Sequence, residues 1–135
     1  MPTEILSGLW IGSIDDLKHP SFFLDMEINI IINLTDCNFK VDKQNVSYIN
    51  IPISSYNIYN KNIIDNLVNN IHNNLKDGLN NIFIYDINGL TIAPLVTGIY
   101  MMKYGSVTKY DIPVILRSKN YDILINIDDY PNLLC

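Results

Sequence analysis

Arginine is almost absent from this chain of 135 residues. Arg117 is the only arginine among nine Lys and Arg residues, and 14 Asp and Glu residues bring the net charge to −5. A general nucleic-acid binder presents a basic face, and binding to an anionic membrane needs clustered cations. The composition therefore predicts that neither nucleic acid nor a membrane surface is a partner.

Cysteine, histidine and long apolar runs are also scarce. Cys37 and Cys135 are too few and too far apart to form a disulfide framework or a metal site, so we expect no metal and no cofactor. The N-terminus has no basic region followed by an apolar core, and no apolar run reaches the roughly 18 residues that span a membrane. These features predict an intracellular, cytoplasmic protein.

Hydrophobic residues, by contrast, make up 48% of the chain, and charged residues make up 17%. This balance is typical of a folded protein, and the length suits a single domain covering residues 1–135. The sequence contains 24 Ile and 19 Asn residues, whose codons are rich in A and T. That bias indicates an AT-rich genome, such as that of a large DNA virus, a protist or a low-GC bacterium, and says little about chemistry.

Short apolar segments alternate with segments of helical periodicity. The strands are predicted at 9–11, 28–34, 46–51 and 82–85, and the helices at 13–17, 22–26, 60–77, 93–104, 107–118 and 130–134. Ser106 is predicted to cap the helix at 107–118, and Pro113 is expected to kink that helix or to shift its start. His72 is predicted on the solvent face of its helix. The alternation predicts an α/β fold with a central, twisted, mostly parallel sheet of four or five strands flanked by helices.

The most informative segment is the turn at 85–94, between the fourth predicted strand and an apolar helix. Ligands of parallel α/β sheets bind at the carboxyl ends of the strands, and N–H groups at the start of a helix attract anions. Yet residues 85–94 contain no Lys, Arg, His, Ser or Cys, and Asp86 is itself negative. One interpretation is that Asp86 occupies the positive site in place of a bound anion.

The order of these segments resembles the dual-specificity phosphatase domain of the cysteine-dependent protein phosphatases. The matching segments are Leu-Trp-Ile-Gly-Ser at 9–13, Ile-Ile-Ile-Asn-Leu-Thr at 30–35, Tyr-Ile-Asn-Ile-Pro-Ile at 48–53 and the strand-turn-helix around 85–94. The resemblance covers roughly residues 6–134. It implies the phosphatase fold and a phosphate-binding loop in the turn after the fourth predicted strand.

The same resemblance implies a degenerate active site. The family signature His-Cys-x-x-Gly-x-x-Arg places its histidine at Tyr85, its cysteine at Asp86, its glycine at Gly89 and its arginine at Ile92, and the general-acid aspartate falls at Ser55. A carboxylate replaces the thiolate nucleophile, isoleucine offers no bidentate donors and serine is a poor proton donor. We therefore expect no catalytic residue and no enzymatic activity.

The resulting hypothesis is an inactive phosphatase-like protein that acts by binding an unidentified protein partner, with a homodimer as one form of that partnership. The alternatives are residual or altered phosphohydrolysis through Asp86, and phosphopeptide binding without catalysis. A weaker resemblance joins Asp86, Asn88 and Thr91 to the Asp-x-Asp-Gly-x-Thr motif of haloacid-dehalogenase-like phosphohydrolases. Asn88 replaces its second aspartate, and the 44 residues after Thr91 leave no room for the later motifs.

Overall fold

Five strands form one sheet in the order β1-β2-β5-β3-β4. The computed structural model describes residues 2–54 and 60–125. The strands are β1 Thr3–Leu6, β2 Leu9–Ser13, β3 Ile30–Asn33, β4 Ser47–Asn50 and β5 Ile82–Asp86. β1 and β2 form an antiparallel hairpin, whereas the β2–β5, β3–β5 and β3–β4 pairs are parallel. The predicted mostly parallel α/β sheet is thus confirmed.

Helices lie between β2 and β3, between β4 and β5, and after β5, whereas residues 34–46 join β3 to β4 without a helix. The helices are a 3-10 helix at Ile14–Lys18, α1 Pro20–Asp25, α2 Lys61–Leu75, α3 Ile92–Tyr104 and α4 Ile112–Lys119. The side chain of Asn60 caps α2 by accepting the Ile63 N–H at 3.2 Å. No helix within the described residues is both long enough and apolar enough to cross a membrane.

The two faces of the sheet bury different kinds of side chain. On β5, Ile82 and Ile84 join a large aliphatic core with α2, α3 and α4, and Phe83 and Tyr85 join a smaller, aromatic-rich core. In that smaller core the rings of Phe23 and Phe83 meet edge to face, with centroids 5.1 Å apart. Burial of β5 on both faces explains why its sequence is apolar or aromatic from Ile82 to Tyr85.

Three expectations need correction. β1 was not predicted, although it pairs with β2 through the turn at Gly8, which has a φ of +84°. The last described helix begins at Ile112 instead of 107, which is the shift of its start that Pro113 was expected to cause: Pro113 lies in the first turn, where a missing N–H costs nothing. Ser106 adopts a φ of +55° and does not cap that helix.

The third correction concerns His72. Its ring is half-buried between α2 and α3, parallel to the ring of Tyr104 with centroids 3.9 Å apart, and its Nδ1 lies 3.5 Å from the Tyr100 hydroxyl. It therefore packs between helices instead of facing solvent. The helical turn predicted at 130–134 lies outside the described residues.

Candidate functional site

The candidate site is the turn that joins β5 to α3. Register pairs Asp86, the last residue of β5, with Ser13 of β2, and Tyr85 with Asn33 of β3. The turn is thus at the carboxyl edge of the three central strands, where parallel sheets place their ligands. Its side chains and N–H groups decide what can bind there.

Asp86 is 2% exposed, and its carboxylate is surrounded by donors from its own turn. Its Oδ1 accepts the N–H of Gly89. Its Oδ2 accepts the N–H groups of Ile92 at 2.6 Å and Ala93 at 3.0 Å, and the Thr91 hydroxyl lies at 3.4 Å. The carboxylate therefore occupies the point at which the donors of the turn converge.

Three of the four N–H positions at the start of α3 are unavailable to a ligand. A helix N-terminus normally leaves four positions unpaired, and these are here Thr91 to Pro94. Ile92 and Ala93 donate to Asp86, and Pro94 has no N–H. The helical bonds begin with Leu95, which donates to the carbonyl of Thr91 at 3.1 Å. In addition, Leu90 donates to the side chain of Asn88 at 2.8 Å. Most of the anion-binding capacity of this helix start is therefore satisfied internally.

Gly89 is required by the shape of the turn. Its φ is +73°, and a Cβ atom there would lie 2.7 Å from the carbonyl carbon of Gly12. Both the left-handed backbone and the close contact with β2 exclude a side chain.

Tyr85 points away from the turn, into the aromatic-rich core. It is 1% exposed, and burial raises the pKa of its hydroxyl to about 12, with an opposing hydrogen bond from the backbone of Phe39. Its carbonyl accepts the N–H of Leu34 at 3.0 Å. Tyr85 therefore links the turn to the loop after β3 and is not a side chain of the site surface.

A cleft of about 530 Å³ opens beside the turn, between it and the loops that follow β3 and β4. Its apolar lining comes from Leu34, Pro52, Ile53, Ile87 and Ile92. Its uncharged polar lining comes from Thr35, Cys37, Ser54, Asn88 and Thr91. Asp36 and Asp86 are acidic, and none of the described lining residues is Lys, Arg or His.

A buried polar network shapes the wall of the cleft formed by the loop after β3. The side chain of Asn33 accepts the Thr35 N–H at 2.8 Å and hydroxyl at 2.7 Å, and donates to the Cys37 carbonyl at 2.7 Å. Sequence reasoning missed this network, although the Asn-Leu-Thr segment at 33–35 belonged to the phosphatase-like pattern. Cys37 is exposed and free at the mouth of the cleft.

The structure brings four of the five predicted signature positions into one segment. Tyr85, Asp86, Gly89 and Ile92 all lie at the β5–α3 junction, with Asp86 and Ile92 on the cleft. Ser55 lies outside the described residues. Among the residues that are described, no group of three or more His, Cys, Asp or Glu side chains could hold a metal ion.

The same arrangement of strands and helices occurs in solved protein structures. DUSP15 superposes with a TM-score of 0.81 at 19% identity, over 93% of this chain and 80% of that one. The chain has the dual-specificity phosphatase fold. A mouse putative dual specificity phosphatase, complexed with zinc tungstate, gives 0.80 at 13% identity, over 95% and 80% of the two chains.

The human tyrosine phosphatase-like serine/threonine/tyrosine-interacting protein is similar to the same extent. Its TM-score is 0.78 at 16% identity, and the match covers 95% of this chain and 91% of that one. No family model matches the chain, and no curated protein matches it by sequence. Identities this low establish the shared fold, and the activity has to be argued from the residues of the site.

Proposed function

We propose that this chain is a catalytically inactive phosphatase-like protein that works by binding another protein. The observation that carries the proposal is the position of the Asp86 carboxylate. It accepts three backbone N–H groups at the point where the phosphatase-like turn and helix start would otherwise hold an anion. The chain supplies its own anion, and these N–H groups are not available to a phosphate dianion.

The side chains at the signature positions do not supply phosphatase chemistry. A nucleophile must be free to attack phosphorus, whereas both oxygens of Asp86 are engaged by donors of the turn. Ile92 packs against the aliphatic core and has no donor with which to clamp phosphate oxygens. Ser55, at the predicted general-acid position, is a poor proton donor at neutral pH.

Charge also disfavours the two alternatives, phosphohydrolysis through Asp86 and phosphopeptide binding. The described lining of the cleft contains two acidic side chains and no basic one, and residues 55–59 are uncharged in the sequence. A phosphate group would approach two carboxylates, and no cation from the described lining residues would offset the repulsion. Protein binding needs no such cation, and the similar human structure is named as a phosphatase-like interacting protein.

An activity measurement tests the inactive assignment directly. The purified protein is incubated with an aryl phosphate, with and without Mg²⁺, beside an Asp86→Asn variant. We expect no turnover above the buffer rate in either protein. Turnover by the wild-type protein that disappears in Asp86→Asn would show that Asp86 is a nucleophile and would overturn the proposal.

A gain-of-binding variant tests whether the turn is a phosphatase-type cradle at all. Replacing both Asp86→Cys and Ile92→Arg removes the internal carboxylate and adds a bidentate donor, so tungstate or phosphate should bind. The matched control is Asp77→Cys with Leu79→Arg, two exposed positions at the amino end of β5, which should gain no binding. A folded Asp86→Cys/Ile92→Arg protein without oxyanion binding would mean that the signature is wrongly placed.

A further inference from the structure

The cleft beside the turn retains an apolar surface although its anion site is filled. Ile87, directly after Asp86, is 64% exposed and lines the cleft. Ile92, which is partly exposed, contributes further aliphatic surface to the same cavity, and the nearly buried Leu34 and Ile53 complete its aliphatic lining. An exposed isoleucine over an aliphatic cavity favours an apolar side chain as its occupant, because contact would remove both from water.

The charge of the cleft determines which charged groups can lie next to that apolar side chain in a ligand. Asp36 is exposed at the cleft, whereas the Asp86 carboxylate is buried and already hydrogen-bonded. Asp36 therefore offers the accessible charge among the described lining residues. No Lys, Arg or His from those residues offsets it, and the chain as a whole carries −5. An approaching anion is repelled and a cation is attracted.

Resting on the proposed function, we propose that the cleft binds an unphosphorylated protein segment in which an aliphatic side chain is flanked by Lys or Arg. The aliphatic group fills the cavity beside Ile87 and Ile92. The flanking cation pairs with Asp36 at its mouth. The specificity is the reverse of that expected for a phosphate-binding cleft, since the partner is basic and apolar instead of phosphorylated.

Three short peptides of equal length test this chemistry with the full chain. Their central sequences are Arg-Ile-Arg, Glu-Ile-Glu and Arg-phosphotyrosine-Arg, and binding is followed by NMR shifts of the cleft residues. We expect Arg-Ile-Arg to bind at least about tenfold more tightly than Glu-Ile-Glu. That preference should shrink as salt is raised, because the pair with Asp36 is exposed and screened.

Matched variants separate the cleft from the rest of the surface. Asp36→Lys should abolish or reverse the preference for the basic peptide, whereas Asp77→Lys, the same charge change after α2, should leave it unchanged. Ile87→Ser should weaken binding of Arg-Ile-Arg several-fold, whereas Leu79→Ser should not. Leu79 is a suitable control because it is 80% exposed and precedes β5 at the opposite edge of the sheet.

The outcomes distinguish this inference from the proposed function. Equal binding of the acidic and basic peptides, or no shift of cleft signals at millimolar Arg-Ile-Arg, would overturn the inference and leave catalytic inactivity standing. Tighter binding of the phosphotyrosine peptide in the cleft would overturn the proposed function as well. Charge-selective binding that depends on Asp36 and Ile87 supports both.

Discussion

The adjacent strands β3 and β5 both end on a buried polar residue that shapes the following loop. Asn33 is 1% exposed and Asp86 is 2% exposed. Asn33 accepts the N–H and hydroxyl of Thr35, and Asp86 accepts the N–H groups of Gly89, Ile92 and Ala93. Each residue ends a strand and accepts backbone N–H groups of the segment that follows. The two side chains therefore stabilise the conformation of their loops in a similar way.

Asn33 and Asp86 differ in charge. Asn33 also donates to the Cys37 carbonyl, so its network is neutral and closed. The carboxylate of Asp86 only accepts hydrogen bonds, and it lies at the start of α3, where the helix dipole favours a negative charge. The comparison shows that one strand end is held by a neutral amide, whereas the other is an electrostatic site that a carboxylate of the same chain fills.

The largest expected difference between the two strand ends is in stability. Asp86→Ala removes three N–H bonds to a carboxylate and the helix-dipole interaction, so we expect a loss of about 5 kcal/mol in the free energy of unfolding. Asn33→Ala removes neutral bonds and should cost about 3 kcal/mol. Urea denaturation measures both, with Asp86→Asn as the milder variant if the alanine variant does not fold. A larger loss at Asn33 than at Asp86 would contradict the comparison.

Gly89 tests how tightly the β5 turn is held against β2. Gly89→Ala combines a left-handed backbone with a Cβ atom 2.7 Å from Gly12, so we expect a loss of about 3 kcal/mol. Gly78 has a similar φ of +70° but nothing within 4 Å of its Cβ position, so Gly78→Ala should cost only about 1 kcal/mol. Equal losses in urea denaturation would mean that the contact with Gly12 is not a constraint.

Tyr85 precedes Asp86 and pairs with Asn33, so it lies beside both strand ends. Its ionisation makes the free energy of unfolding depend on pH. An unfolded tyrosine ionises near pH 10, whereas the Tyr85 pKa in the folded protein is about 12 because of burial. Between these values the unfolded state holds fewer protons, so stability falls with rising pH by roughly 2 to 3 kcal/mol.

Denaturation from pH 9 to 12 measures this effect. Tyr85→Phe should flatten the decline, whereas Tyr121→Phe should leave it unchanged, because Tyr121 is 87% exposed. The same slope in wild type and Tyr85→Phe would show that ionisation of Tyr85 does not contribute.

Much of the fold could be predicted because its elements carry their own patterns. β3 and β5 are buried apolar segments, and α2 has its apolar residues on one face. β1 was not predicted because it is an edge strand of only four residues, most of them not buried. Its formation depends on pairing with β2. The start of α4 was misplaced because Ser106 suggested a cap, although Pro113 marked the true first turn.

The site was predictable in its location and less so in its contacts. Strand order placed the turn at the carboxyl edge, and the negative charge of Asp86 suggested an internal anion. The sequence could not show that Ile92 and Ala93 donate to Asp86, or that Pro94 falls among the N–H positions that α3 leaves unpaired, since both depend on where the helix begins. Nor could it show that Tyr85 is buried, because cleft and core tyrosines have the same local sequence signal.

The most direct test of the central claim is a phosphate titration of the wild-type protein beside Asp86→Ser, followed by NMR and by the phosphate dependence of the unfolding free energy. If the Asp86 carboxylate occupies the anion site, the wild-type turn will not respond. Asp86→Ser will show shifts at Gly89, Ile92 and Ala93 and will be stabilised by phosphate, whereas Asp36→Ser will behave as wild type. Phosphate binding to the wild-type turn, or a folded Asp86→Ser protein that ignores phosphate, would contradict the account.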